Sequence, residues 1–434
     1  MSLSAREAAM SVVRRLRDAG HEAVFAGGCV RDELLGLSPK DYDVATDATP
    51  QRVAELFDGS REVGKSFGVM HVRPARWRGP SIEVATFRRE GAYSDKRRPD
   101  AVEFTDARQD AHRRDFTINA LFIDPLDTSE RIQGRVIDYV GGLDDLKHGV
   151  VRAVGDPDAR LSEDHLRALR AVRFAARLAF ELEPATAAAV GRHARELAGV
   201  SRERVGDEMR RMLANPRRLR ALGLIHELGL DASVLNEPAL GVIELPTVRG
   251  LPESAGVETA VAAWAIDRAA VAGRLDVGAI AILASRVPTA WRRALCLSND
   301  ERDRVRATLE LVGAIEGSWA GWRVAARKRA AARAEFAAAL AIVATRDAGL
   351  AGAVGHEVRE LSGQNGGLAP ERLVTGDDLV AAGLAPGPSF ARVLEGVYDA
   401  QLEGRVRDRA GALEAALRQA AGLGNGPGDS RESE

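Results

Sequence analysis

The feature that most constrains this chain is a change in its pattern near residue 150. Before that point helix and strand signals alternate. From about Leu161 onward strand signals almost vanish, and Ala-, Leu- and Arg-rich segments recur at helical spacing. A chain of this kind cannot be one sheet or one bundle; an α+β part must be followed by an all-α part. In the first part SAREAAMSVVRRLRDAG predicts an amphipathic helix closed by Gly20. EAVFAGG reads as a strand, CVRDELLGL as a helix and DYDVAT as a strand. ATPQRVAELF predicts a helix with Thr49 as N-cap and Pro50 in its first turn. GVMHVRPARW and PSIEVATF read as paired strands joined around Arg78, Gly79 and Pro80, on a small mixed sheet.

The helical part breaks near Pro184, near Pro216 and through the stretch 237–256, with a further Ala/Arg-rich helix pattern in RVAARKRAAARAEFAAALAIVAT. LSGQNGGLAPE (361–371) reads as a loop before two final helical segments, and GLGNGPGDSRESE (422–434) is expected to be disordered. The net charge of −2 does not announce a nucleic-acid binder, so any such role rests on local basic patches. Cys29 and Cys296 lie too far apart for a ligand motif and fit a reducing compartment. No stretch approaches the roughly 20 apolar residues of a membrane span, and the N-terminus lacks a signal-like apolar run. The expectation is a cytoplasmic protein.

The chemistry is concentrated in AGGCVRDELLGLSPKDYDVATD (26–47). On a strand, residues two apart face one side, so Asp41 and Asp43 converge, and Glu83 of SIEVATF is the candidate third carboxylate on a paired strand. Such crowding calls for a cation, and hard oxygen ligands suit Mg²⁺, which keeps waters and phosphate oxygens in its shell. Two such ions can activate a hydroxyl nucleophile and neutralise a departing pyrophosphate. Gly27 and Gly28, between strand and helix, let the backbone approach a triphosphate, with Arg31 and Asp32 in the helix's first turn.

GG-x-V-R-D followed by D-x-D resembles the signature of the polymerase-beta-type nucleotidyltransferases, as used by class II tRNA nucleotidyltransferases (CCA-adding enzymes) and bacterial poly(A) polymerases. HRRDFTINALFID (112–124) resembles the family's second motif, which implies ribose and phosphate binding by Arg113, Arg114, Asp115 and Asn119. VIDYVGGLDDL (136–146) is similar to the third, a hinge region with Gly141, Gly142 and Asp144.

LSEDHLRALRAVRFAARL (161–178) predicts a helix with Ser162 as N-cap and Asp164 and Arg167 on one face. An intrahelical ion pair is the simplest use of that spacing. Cytosine and adenine, however, both carry an amino donor beside a ring-nitrogen acceptor. A carboxylate and a guanidinium match that pattern, whereas uracil and guanine do not. The helix resembles the family's fourth motif, ED-x-x-R, which implies that Asp164 and Arg167 read the base, with Glu163 in support and Arg170 and Arg173 toward triphosphate, RNA or solvent. SRERVGDEMRRML (201–213) resembles the fifth, a bracing helix in which Arg204 and Glu208 are spaced for an ion pair.

TFRREGAYSDKRRPDAVEFTD (86–106) resembles the flexible loop of CCA-adding enzymes at full length, with Arg88, Asp95, Arg97 and Arg98 as polar contacts. TGDDLVAAGLAPGPSFARVLEGVYDAQLEGRV (375–406) resembles a C-terminal tail that holds the tRNA elbow. No His-Asp dipeptide occurs, so the phosphohydrolase activity carried by many relatives is not expected.

The resemblance implies an α+β polymerase-beta-type nucleotidyltransferase head (1–145) followed by an all-α neck (146–235), body (236–360) and tail (361–421). The implied function is template-independent addition of CCA, or its terminal A, to tRNA from CTP and ATP with Mg²⁺ and pyrophosphate release. A bacterial poly(A) polymerase and a specialist CC-adding enzyme are the alternatives. The implied partners are the tRNA 3′ end and elbow, with no membrane and no protein partner.

Overall fold

The computed structural model describes residues 3–62, 68–75, 77–90, 102–127, 134–270, 275–364, 366–384, 386–387 and 389–424. The chain divides into two compact units, Met1–Gly241 with Arg293–Cys296, and Val242–Arg292 with Leu297–Glu434.

The first unit opens with α1 (Ala5–Asp18), capped by Ser4 and Glu7 in a reciprocal capping box and buried along Ala8, Ala9, Val12, Val13 and Leu16. Then follow β1 (Ala23–Ala26), α2 (Gly28–Leu34), β2 (Asp43–Thr46), α3 (Pro50–Leu56), β3 (Arg61–Glu62), β4 (Val69–Val72) and β5 (Ile82–Thr86). As expected, Thr49 caps α3 with Pro50 in its first turn, and β4 and β5 pair antiparallel. Next come β6 (Arg88–Glu90), β7 (Val102–Phe104), α4 (Ala107–His112), β8 (Phe122–Asp124), β9 (Arg135–Ile137) and α5 (Gly142–His148).

Seven strands form one mixed sheet in the order β3-β4-β5-β2-β1-β8-β9. β1 is buried throughout (Ala-Val-Phe-Ala), as befits a central strand. Its antiparallel pairing with β2 runs from Ala23↔Thr46 to Ala26↔Asp43, and β2 pairs with β5 in parallel from Asp43↔Glu83 to Thr46↔Thr86. The core against one face gathers Val24, Ala26, Ala45, Phe87, Ala107, Ala111, Ala120, Phe122 and Val154. Each buried aromatic there contributes roughly 1.5–3 kcal/mol.

The stretch 86–106, expected as a loop, has paired ends: β6 and β7 form a two-stranded sheet, Arg88↔Phe104 to Glu90↔Val102. Asp95, Arg97 and Arg98 lie outside the described residues.

After α5 the unit continues with β10 (Val150–Val151), α6 (Pro157–Glu163), α7 (Arg167–Leu178), β11 (Glu181–Leu182) and α8 (Pro184–Arg192). It ends through α9 (Arg202–Leu213), α10 (Arg218–Glu227) and α11 (Asp231–Leu235). The expected single helix over 161–178 is therefore two. Ser162 lies inside α6, its hydroxyl donating to the Asp158 carbonyl, and is not an N-cap. The break comes at Asp164, whose backbone is extended (φ −151°, ψ 102°) and whose Oδ1 accepts from the Leu166 N–H at 3.1 Å. That local bond competes with continuation of the helix.

The described residues of the second unit are helical, with no strand among them. The 323–345 pattern is likewise two helices, Val324–Ala331 and Phe336–Arg346, and the 237–256 stretch contains a short helix, Pro246–Gly250. Three helices follow residue 371 where two were expected: Gly376–Ala381, Ser389–Leu402 and Arg409–Gly424. They close on Val374, Leu379, Val393, Val397, Ala412 and Ala416. Residues 422–424 are the end of the last helix rather than the start of disorder; 425–434 lie outside the described residues. Among the described residues no helix is long and apolar enough to cross a membrane.

Candidate active site

A cleft of about 1080 Å³ lies within the first unit. Gly27 and Gly28 form one part of its wall. Gly27 adopts φ +76° and donates its N–H to the Leu121 carbonyl at 3.1 Å. A Cβ there would be strained and would meet Arg114 Nη1 at 3.0 Å. A Cβ on Gly28 would make only ordinary contact, 3.7 Å from Arg31 Nη2, so this residue's bareness leaves room in the cleft rather than relieving strain.

Asp43 opens β2, but Asp41 lies two residues ahead of the strand and is exposed, which corrects the expectation of a pair on one strand. The alternation nevertheless persists: Tyr42 between them is buried, and both carboxylates line the cleft. Glu83 stands opposite Asp43 in register, yet it does not line the cleft, and its Oε1 lies 3.3 Å from His71 Nε2. Burial, with added repulsion from Glu83 and Asp41, pushes the Asp43 carboxyl up to about 7. Neither Asp41 nor Asp43 has an ion-pair partner among the described residues.

No group of three or more His, Cys, Asp or Glu among the described residues is arranged to hold a metal ion. Asp41 and Asp43 still fit Mg²⁺, which needs only one or two carboxylates when substrate phosphates and water complete its shell. The raised Asp43 carboxyl marks the charge crowding that such a cation relieves.

A second part of the lining is an array of arginines, each fixed by a carboxylate. Asp110, 1% exposed, holds both Arg113 (2.6 Å) and Arg114 (2.9 Å). Burial alone would raise Asp110, but Arg114 and Arg113 hold it below the usual range. Arg31, buried, donates to Asp32 Oδ1 (2.6 and 2.9 Å) and to Asn119 Oδ1. Asn119 Nδ2 donates to Asp115 Oδ1 at 3.1 Å, and Asp115 Oδ2 accepts from Arg170 at 2.6 and 2.8 Å. Against the effect of burial, Arg170 and Asn119 bring Asp115 down to about 2. Arg177 returns to Asp32 at 2.8 Å, and Arg173 donates to Glu208 at 2.5 Å. The ring of Phe174 lies beneath Arg31, Arg170 and Arg173, with centroid distances of 5.0, 5.5 and 4.1 Å.

Arg170 and Arg173 are therefore packed members of the wall rather than a solvated face. Asp110, Arg177 and Phe174 were missed in the sequence reading. The one available signal was the three- and four-residue spacing of Asp110 before Arg113 and Arg114.

Asp164 and Arg167 both line the cleft but do not pair with each other. Asp164 is gripped by Arg204 through Nη2–Oδ2 (2.6 Å) and Nη1–Oδ1 (3.2 Å). Arg167 donates to the Glu163 carboxylate and, at 2.7 Å, to the Arg160 carbonyl. The expected Arg204–Glu208 pair is thus replaced by two others, Arg204–Asp164 and Glu208–Arg173. The four-residue spacing was right for a pair, but both side chains on α9 reach across to other elements.

In the third motif Gly141 caps α5 at φ +81°, and a Cβ on Gly142 would collide with the Thr117 carbonyl at 2.3 Å. Asp138, not singled out from sequence, accepts from the N–H groups of Val140, Gly141, Gly142 and Leu143. Every residue expected to bind nucleotide or metal lines the cleft, as does Arg88; Glu83 does not.

Residues 23–152 match the Poly A polymerase head domain family, and residues 179–240 match the family described as the probable RNA and SrmB- binding site of polymerase A. A CCA-adding enzyme of Lacticaseibacillus paracasei is 33% identical over 420 residues, covering 95% of this chain and 94% of that protein. One from Bacillus pumilus is 44% identical over 206 residues, 47% of this chain and 49% of its own length. The crystal structure of the Bacillus stearothermophilus CCA-adding enzyme in complex with CTP matches with a TM-score of 0.74 at 27% identity, covering 98% of this chain and 100% of that one. With a head on a mixed sheet, a helical remainder and one-third identity along nearly the whole length of such a relative, the chain belongs to the CCA-adding enzyme family.

Proposed function

We propose that this protein adds C, C and A to the 3′ end of tRNA from CTP and ATP, releasing pyrophosphate and using no nucleic-acid template. The observation that carries the reading is one cleft lined by a bare glycine turn, two carboxylates without an ion-pair partner among the described residues, and a separate carboxylate and guanidinium, Asp164 and Arg167. Asp41 and Asp43 would hold Mg²⁺, which when bound supplies charge neutralisation for the triphosphate and the departing pyrophosphate. Gly27, Gly28 and the N–H groups that follow receive phosphate oxygens, with Arg114, held by Asp110, beside Gly27, and Arg113 on the same carboxylate. Asp115 and Asn119 orient Arg31 and Arg170. Asp164 accepts from the exocyclic amino group of C or A, and Arg167 donates to the ring nitrogen. Uracil turns an acceptor toward Asp164, and guanine reverses both positions, so neither base matches the pair.

We assign residues 1–145 to the head, 146–235 to the neck, 236–360 to the body and 361–421 to a tRNA-binding tail. The two free cysteines support a reducing, cytoplasmic setting.

The test supplies tRNAs that end before CCA and after CC, with CTP and ATP given separately and together. Expected are CC from CTP alone, one A on the CC-ended tRNA from ATP alone, and then arrest. Continued elongation on ATP identifies a poly(A) polymerase, and arrest at CC with both nucleotides a CC-adding specialist; either result rejects the proposal.

A further inference from the structure

The strand ladder that fixes Asp43 ends with the pair Ala26↔Asp43, leaving Asp41 beyond it. Asp41 also lacks an ion-pair partner among the described residues, so Tyr42 is what ties it to the fold. Tyr42 is 6% exposed and points away from the cleft, with its hydroxyl donating to Glu33 Oε1 at 2.5 Å. Arg6 Nε donates to the same oxygen at 2.8 Å, and its guanidinium lies over the Phe25 ring at 5.4 Å. Phe25 in turn packs on Tyr42 with ring centroids 5.2 Å apart. Arg6, Phe25, Tyr42 and Glu33 thus form a closed ring of contacts drawn from α1, β1, the segment before β2, and α2. Glu33 belongs to the helix that begins at the glycine turn, and Phe25 precedes the residue that pairs with Asp43.

We propose that Tyr42 is a positioning residue. Through Glu33 its hydroxyl fixes the distance between the carboxylates of Asp41 and Asp43 and the glycine turn, so that a metal ion held by the first can bind phosphate lying on the second. The proposal rests on the reading of Asp41 and Asp43 as metal ligands. A tyrosine serves here because its ring packs behind the carboxylates while its hydroxyl spans to the helix. Phenylalanine keeps the packing and loses the tie.

The test measures Mn²⁺ binding to the full chain with CTP and no RNA, by electron paramagnetic resonance, where no turnover occurs. Tyr42→Phe should weaken Mn²⁺ binding about three- to tenfold, with the melting temperature little changed. In turnover the Mg²⁺ half-saturation and, by reciprocity, KM for CTP should rise by a similar factor while kcat at saturating Mg²⁺ and CTP stays near wild type. Glu33→Ala should give the same shift, and the double variant no more than either single change. If Tyr42→Phe binds Mn²⁺ as the wild type does while Asp41→Ala does not, the positioning role is overturned and the metal reading survives. If Asp41→Ala also binds normally, the metal reading falls and the proposal with it.

Discussion

The two walls of the cleft handle charge in opposite ways. On the glycine side Asp41 and Asp43 crowd together without an ion-pair partner among the described residues, and Asp43 is pushed up to about 7. On the arginine side Asp110, Asp115, Asp32, Asp164 and Glu208 each grip at least one guanidinium. The first wall keeps crowded negative charge that a cation would offset; the second ties five carboxylates to seven guanidiniums, which fixes its side chains and leaves positive charge in surplus. A wall that must accept an ion needs open valences, and one that must discriminate needs fixed geometry.

The largest effect that could break this comparison is on the open wall. Asp41→Ala should lower nucleotide incorporation by about 10³-fold or more while tRNA retention on filters stays close to wild type. Turnover near the wild-type rate would show that the unpaired carboxylates are not the metal site. On the supported wall Arg167→Ala should spare overall incorporation more and raise the ratio of UMP to CMP incorporation about 10- to 100-fold. An unchanged ratio removes Arg167 from base reading.

The pairing on the second wall can be titrated. Asp115 is held at about 2, below its unfolded value near 3.9, so its contribution is fully present above the unfolded value and is lost as pH falls through the folded one. That contribution is about 2 kcal/mol. The stability advantage of the wild type over Asp115→Asn, measured by urea unfolding, should hold at pH 5 and above and shrink between pH 4 and pH 2. An advantage that stays constant across that window would mean that Arg170 does not stabilise the carboxylate. The smallest effect belongs to the edge of the array. Arg177 is 36% exposed at its side chain, and Arg177→Ala should destabilise by less than about 1 kcal/mol, with KM for CTP unchanged.

The same contrast explains what was legible in the sequence. Gly27, Gly28, Asp41, Asp43, Arg113 and Arg114 lie in short runs, where spacing alone carries the chemistry. The supporting pairs do not. Arg177 meets Asp32 across 145 residues and Arg204 meets Asp164 across 40, separations to which periodicity is blind. Reading 161–178 as one helix failed for a local reason: Asp164 turns its carboxylate onto the Leu166 N–H, and apolar spacing continues on both sides of the break as though nothing had happened. Glu83 was placed correctly beside Asp43 in register; strand pairing predicts neighbours, but not that His71 would draw the side chain aside.

The interruption between α6 and α7 has a consequence for how such proteins tolerate changes in length. Asp164 and Arg167 are spaced by a turn whose ends are anchored independently, one to Arg204 and the other to Glu163 and the Arg160 carbonyl. One residue inserted between Asp164 and Arg167 lengthens that turn, so the two anchors can no longer both be kept with the present spacing. Insertions and deletions should therefore be excluded from Arg160 through Arg173, where Arg170 and Arg173 fix the phase of α7 on Asp115 and Glu208, so that on the proposed reading one short stretch sets the alphabet the enzyme can write.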